Sequence, residues 1–477
     1  MPAQSATRTL QPFPVPLRVE GASCGQRADR VSARIERALV WLRPWLPWLH
    51  AVLFVFFLGL LLGPVLLPDS ALASRFAAMG NWLIWSLWFP LVFASVLLSG
   101  RSWCGVLCPM GAASQWMNAI GLKRPVPGWL RWEGTPIVSF VLITILGQTV
   151  GVRDYPEALL EVFGGTLLAA LLIGFLYGQG RGRRAWCRHA CPIGLLLGVF
   201  SRLSIVDLVP KRQRKGGDAY TERGLCPTMI DINRKTESRH CIMCMRCVHP
   251  DRGGGLTLRL RAPGAEVAAI DRHHPALSEV WFLLLGTGVA LGGFLWLVLP
   301  EYQSLRQLIG VWAIEHGLYW IGQSGPSWLM VVHPEARETF VWLDFLLIVG
   351  WMLGIMLLFT LALGALNSVS TWLAGQFGAG TPFRQRFTEL GYQFAPVAMV
   401  SLLLGLGGEL FNSLPAHPAH WLKVALLAGA LLWSLLLGWR ILRNQGLRMT
   451  ASTLALLPGM AGSCLVAAAW WPALGGI

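Results

Sequence analysis

The fold class this sequence predicts is an all-α polytopic membrane protein: about nine transmembrane helices, interrupted by one small extramembrane insert. Three observations predict it. The 477-residue chain is 54% hydrophobic and only 13% charged, against about 25% charged residues in a typical soluble domain. Its apolar residues gather in runs near the roughly 20-residue length that crosses a bilayer. Its Lys and Arg gather in alternate connections between those runs. The 24 Trp and 53 Gly suit the same class, because Trp collects at membrane interfaces and Gly lets helices approach closely.

Spans are expected at 46–67, 82–99, 135–150, 159–177, 279–299, 340–363, 394–411, 421–439 and 450–471. Nine spans put the termini on opposite sides. The "ALA" at 71–73 resembles a leader-cleavage site, but some 45 residues precede the first apolar run. That is too many for a secretory leader, so the first span is read as an anchor. Lys plus Arg number seven in 1–45, four in 100–134, 18 in 178–278, two in 367–393 and three in 440–449, or 34 of 39 on one side. Such an excess marks the cytoplasmic face, so the N-terminus and the insert are expected in the cytoplasm of a bacterial inner membrane. The net charge of +15 is then a topology signal. An RNA-binding reading of 178–278 lacks the interleaved aromatic residues it needs. The chain divides into a basic arm (1–45), a four-helix membrane unit (46–200), a cytoplasmic segment (201–278) and a C-terminal membrane domain of about five helices (279–477).

The four-helix unit contains a repeat. "GRSWCGVLCPMG" at 100–111 and "RRAWCRHACPIG" at 183–194 share R-x-W-C-x3-C-P-x-G, with 83 residues between equivalent cysteines. Each copy follows a pair of spans, so the unit is two helical hairpins, each ending in a two-cysteine knuckle. If each knuckle is helical, its two thiols share a face; the Pro restricts the residue before it, so the chain bends there. Cys104, Cys108, Cys187 and Cys191 are therefore the candidate catalytic cysteines, either redox-active pairs or ligands of one soft metal such as copper. Arg101, Arg184 and Arg188 would favour thiolate. The bland alternative is four small residues packed at helix ends.

The insert carries "LCPTMIDINRKTESRHCIMCMRCVHP" at 225–250. Cys241, Cys244 and Cys247 at C-x2-C-x2-C spacing wrap three thiolates round one face of a [4Fe–4S] cluster. Cys226, before Pro227, is the remote fourth ligand, as in bacterial ferredoxins. A second ferredoxin site would need cysteines at 216, 219, 222 and 251, which hold Gly216, Ala219, Glu222 and Asp251. One site is whole and the other wholly lost, so one [4Fe–4S] cluster is expected. Zinc sites more often pair two C-x2-C units or add histidines. His240 and His249 lie near the thiols but are not needed as ligands. Cys24 and Cys464 have no partner in the pattern and read as free thiols. The full fold class is thus an all-α polytopic membrane protein with a small cytoplasmic ferredoxin-like iron–sulfur insert.

The hairpins ending in "WCGVLCP" and "WCRHACP", followed by "CPTMIDI" and "CIMCMRC", resemble the NapH/NosR/FixG (CcoG) group of membrane-bound ferredoxin-like proteins over roughly residues 46–275. The resemblance implies electron transfer at the membrane, with cluster ligation on Cys226, Cys241, Cys244 and Cys247 and a redox role for the C-x3-C-P cysteines. Members of that group are associated with quinol oxidation feeding periplasmic reductases, with nitrous-oxide reductase maturation and with copper reduction. This sequence departs from them. It has one ferredoxin-type site where relatives commonly have two, no flavin-binding domain before its first span, and about five added spans after 278. A two-cluster ferredoxin relay is therefore not expected.

Residues 279–477 carry no cofactor motif. Asp344 and Glu409 are their main intramembrane charges, both near span edges. No histidine pair sits mid-span to hold a haem. His417 and His420 in "PAHPAH" read as a solvated loop, with a weak metal contact as the alternative. The aromatic stretch 301–339 suits a membrane surface and a docking partner. The leading functional expectation is electron transfer from a soluble cytoplasmic donor, or from quinone held among the first four spans, to a membrane or periplasmic metalloenzyme. The alternatives are a copper-handling maturation factor and a redox-sensing scaffold. Membrane lipid is an expected partner and nucleic acid is not.

Overall fold

The computed structural model describes residues 22–67, 71–211, 224–248 and 255–474. Eight helices among them are long and apolar enough to cross a membrane: Val31–Leu66, Ser74–Ser99, Pro156–Leu176, Leu277–Val298, Trp342–Gln376, Phe383–Leu406, Ala416–Asn444 and Met449–Ala469. The ninth expected span forms the helix Thr135–Thr149. At about 1.5 Å per residue it is near 22 Å long, short of the roughly 30 Å hydrocarbon core. It begins on Pro136 and ends before the turn at Gly151, where φ is +66°.

The membrane helices form two packed groups. In the first, Phe57, Leu61, Trp85, Leu159 and Val162 share one buried cluster. In the second, Leu277–Val298 runs along Trp342–Gln376 as the most extensive helix contact. Gly288 and Gly292 make it close: a Cβ on Gly288 would lie 2.7 Å from the Met356 Cα, and one on Gly292 3.0 Å from the Met352 Cα. Two small residues four apart let the backbones meet. The aromatic stretch contains the helix Pro300–Glu315 with Trp312 and Ile314 exposed. Its later residues dock on the first group, where Val331 N–H donates to Thr149 O and His333 stacks on Tyr155.

The insert is bracketed by two antiparallel strands, Val206–Pro210 and Leu256–Leu260, with Leu208 opposite Leu258. The arm contributes to it. Glu36, on the helix Ala22–Leu42, accepts from the Thr257 hydroxyl at 2.9 Å and Leu258 N–H at 3.4 Å.

A buried ionic network joins the insert to the second helix group. Arg202 reaches Glu279 at 2.8 Å, Glu266 at 2.9 Å and Glu237 at 3.1 Å. Arg261 also reaches Glu266, at 2.7 Å. Burial alone would raise the Glu266 pKa, but Arg202 and Arg261 outweigh it and hold the carboxyl down at about 2, against 4.5 ordinarily. A depressed carboxyl stabilises the fold fully above its unfolded pKa, and that stability is lost as pH falls through the folded value. Unfolding midpoints should therefore drop as pH falls from about 4.5 toward 2. Glu266→Gln should flatten that part of the profile, which thermal melts in detergent between pH 2.5 and 7 will check.

Candidate functional site

Each knuckle is two short helices with a break at its second cysteine. Trp103–Leu107, wound with π-helical bonds, precedes Cys108, and Ala185–His189 precedes Cys191. Cys108 (φ −72°, ψ 113°) and Cys191 (φ −64°, ψ 120°) are extended, and the helices Pro109–Ile120 and Pro192–Phe200 start at the next residue. The Pro excludes the α conformation from the residue before it and suits the first helical position. The chain thus bends at the residue before each Pro, and the two thiols of a knuckle do not lie on one continuous helix. The second cysteine is instead an N-cap: Cys108 Sγ accepts from Gly111 N–H at 3.4 Å, and Cys191 Sγ from Gly194 N–H at 3.2 Å.

The two knuckles meet. Arg101 Nη2 donates to Cys187 O at 3.1 Å, and Arg184 Nη1 donates to Cys104 O. Each repeat thus sends its arginine to the first cysteine of the other. The contact also brings Cys187 Sγ to 3.3 Å from where a Cβ of Gly111 would stand. All four cysteines line one cavity of about 190 Å³. Aromatic rings including Trp85, Trp88, Phe140 and Phe163 form its walls, and it extends to Gln148 in the last turn of Thr135–Thr149 and to Arg153 just after it. Arg153 lies over the Trp85 ring at 5.1 Å and donates to Gly405 O at 2.7 Å.

The arginines do not bring Cys187 to thiolate. Burial raises the Cys187 pKa to about 11 although Arg184 and Arg101 pull it down, and burial with Cys104 and Cys187 raises Cys108 to about 12. Arg188 points elsewhere, donating to Thr228 O at 2.6 Å and Met229 O at 2.8 Å.

Those carbonyls belong to the insert. Cys226, Cys241, Cys244 and Cys247 line one small pocket whose described lining also includes Arg246 and Lys235, the latter paired with Asp207 at 2.8 Å. Met229, Met243 and Met245 have φ of +59°, +52° and +58°. Left-handed turns in side-chain-bearing residues cost about 1–2 kcal/mol each, and here they curl the loop so that its thiols converge. Thr228 Oγ1 lies 3.2 Å from Cys226 Sγ. Burial is the largest influence on Cys241, raising it to about 11 against the opposing pull of Lys235. Four converging thiols beside the Arg246 guanidinium fit a cluster that carries negative charge.

The pocket and the knuckles are in direct contact. A Cβ on Gly105 would lie 2.0 Å from Ile242 O and 2.9 Å from Cys244 N, so backbone meets backbone there, and Arg101 Nη1 of the same knuckle donates to Arg239 O at 2.8 Å. The second holds the other side: Arg184 N–H donates to Pro227 O at 2.8 Å, and Arg183 Nη1 to Cys226 O at 2.7 Å. Sequence reasoning missed Gly105, Arg183, Thr228 and Lys235. One signal was present. The residue after the first cysteine is Gly105 in one copy and Arg188 in the other, and both turn out to touch the insert.

His240 lies outside the thiol pocket, in a basic one with Arg188, His189 and Arg239. His249 and positions 216, 219, 222 and 251 fall outside the described residues, as does the side chain of Cys24. Cys464 is exposed. His417 and His420 open the helix Ala416–Asn444 rather than lying in a loop. His417 accepts from Trp421 and His420 bonds Leu474 O. Among the described residues no group of three or more His, Cys, Asp or Glu is placed to hold a single metal ion. A cluster distributes its thiolates over several irons and so spaces them more widely than one ion does.

The family described as "4Fe-4S binding domain" matches residues 81–127 and 162–215, which contain the two knuckles and stop before Cys226. Among similar curated proteins, the putative electron transport protein YccM of Escherichia coli is 28% identical, with 40% of this chain and 59% of YccM covered. The methylamine utilization ferredoxin-type protein MauN of Paracoccus denitrificans is 29% identical, with 34% and 58% covered. The ferredoxin-type protein NapH of Haemophilus influenzae is 25% identical, with 38% and 70% covered. The chain thus spans under two thirds of the length of two of these three relatives. No solved structure matches it. The resemblance to membrane-associated ferredoxin-type electron-transfer proteins is borne out.

Proposed function

We propose that this chain is a membrane-bound iron–sulfur electron-transfer protein whose insert holds a [4Fe–4S] cluster on Cys226, Cys241, Cys244 and Cys247. The observation that carries the reading is the direct abutment of that thiol pocket on the knuckles, whose own cysteines open onto the aromatic cavity. Bound in the insert, the cluster supplies one-electron chemistry. The chain's residues bury the four thiols, turn the loop through Met243 and Met245, and fix its position through Gly105 and Arg188. The cavity suits a quinone head. At about 190 Å³ it is smaller than the roughly 300–1,000 Å³ of drug-sized sites, so it takes one ring and leaves an isoprenoid tail among the helices. Gln148 and Arg153 offer polar contacts at one end. Electrons then pass between quinone, or a soluble donor at the insert, and a membrane or periplasmic metalloenzyme. The Lys and Arg asymmetry supports an inner-membrane protein with the insert in the cytoplasm.

Protein purified anaerobically with Cys241→Ser should hold about four fewer iron atoms per chain than the parent, the content of one cubane. Equal iron in the two, or zinc in place of iron, would sink the assignment.

A further inference from the structure

The membrane knuckles contain a second cation-rich thiol site, and its charge is not balanced. Arg101 and Arg184 are 2% and 1% exposed. Their recorded acceptors are backbone carbonyls, the Gln115 amide and the Cys104 sulfur, which lies 4.0 Å from Arg101 Nη2. Among the described residues neither pairs with a carboxylate, and Arg101 Nε is buried with no hydrogen-bond partner. A buried cation without a counter-ion costs several kcal/mol, so two side by side call for an anion. The side chains nearest them include the thiols of Cys104 and Cys187.

We propose that Cys104, Cys108, Cys187 and Cys191 ligate a second [4Fe–4S] cluster, half of its ligands coming from each repeat. A [4Fe–4S]²⁺ core held by four thiolates carries a net charge of −2, which balances the two guanidiniums. Four protons leave the thiols as the four Fe–S bonds form. The N–H groups of Gly111 and Gly194, already directed at Cys108 and Cys191 Sγ, are donors of the kind that tune a cluster's potential. A single copper or zinc ion would need its sulfurs within about 2.3 Å, and no such single-ion group is present among the described residues. The matched 4Fe-4S family stretches contain these four cysteines and none of those in the insert. The site also bridges two others: its thiols open on the aromatic cavity, and Gly105 joins Cys104 to the backbone of Cys244. One electron then passes between the two clusters, one being oxidised as the other is reduced.

The test is iron and acid-labile sulfide per chain, with electron paramagnetic resonance, on the full chain purified anaerobically. The parent should hold about eight irons, two cubanes, and after dithionite reduction show two interacting spins. Cys104→Ser/Cys187→Ser should keep about four irons and the signal of the insert alone. Cys241→Ser/Cys244→Ser should keep about four and the other signal. Four irons in the parent, all lost in the Cys241 double variant, would overturn the second cluster, as would six irons or stoichiometric copper. Iron unaffected by the Cys241 changes but lost with the knuckle changes would overturn the insert cluster and leave this site standing. The parent's content decides the matter even if a variant fails to fold.

Discussion

Gly105→Ala is expected to detach the insert from the membrane unit and uncouple its cluster from the rest of the protein. The added Cβ would stand 2.0 Å from Ile242 O, 2.9 Å from Cys244 N and 3.1 Å from Cys244 Cα. All three atoms are backbone, so no side chain can rotate aside. Cys104 and Cys244, on either side of the contact, are themselves held by the folds around them. Overpacking typically costs about 1–3 kcal/mol, and backbone against backbone belongs at the upper end. Since about 1.4 kcal/mol is a factor of ten, the docked-to-undocked equilibrium constant should fall on the order of a hundredfold. The variant should lose iron from the insert during purification, and quinol analogues should reduce what remains much more slowly. Gly128→Ala is the control, because a Cβ there meets nothing within 4 Å. Parent-like iron content and reduction rate in Gly105→Ala would show that the contact is not needed.

Arg202→Leu is expected to be the most destabilising charge substitution in the protein. The guanidinium is fully buried, bonds Glu237, Glu266 and Glu279, and lies over the Tyr392 ring at 5.4 Å. Leucine supplies a similar apolar stem but takes the shared cation from Glu266 and Glu279, both of zero side-chain exposure, and leaves each with one partner, Arg261 at 2.7 Å and Arg239 at 2.8 Å. Removing one partner of a buried ionic set costs about 3–5 kcal/mol. Denaturant unfolding in detergent should show that loss. A cycle with Glu279→Gln should show coupling, because removing one of the carboxylates relieves part of the burden Arg202→Leu creates. A change below about 0.5 kcal/mol, the range of ordinary surface substitutions, would mean the network is solvated in the membrane-embedded protein.

The two quartets of cysteines were legible because their information is local: spacing, a following Pro and a duplicated R-x-W-C-x3-C-P-x-G need only a short window. The spans were legible for the same reason, and eight helices fall where apolar runs lie. What the window could not show was distance. Arg202 finds Glu266 and Glu279 at 64 and 77 residues' separation, so the spans' charges were underestimated and the junction was missed. The cavity is a property of helices leaning together, which no single periodicity encodes. The bend at each second cysteine was also legible, because the following Pro restricts the residue before it; what the window did not show is that the bend makes that cysteine the cap of the next helix.

The crossed arginines carry an evolutionary consequence. Arg101 serves the cysteine of the second hairpin and Arg184 that of the first, so neither hairpin completes its own half of the arrangement. An ancestor with a single hairpin would have had to pair with an identical copy, each subunit lending its arginine across a two-fold axis. Joining the copies in one polypeptide released them from having to stay identical. Glycine at 105 and arginine at 188 record that release: one copy became a flat abutment for the loop and the other a clasp, a division of labour that a homodimer's symmetry would have forbidden.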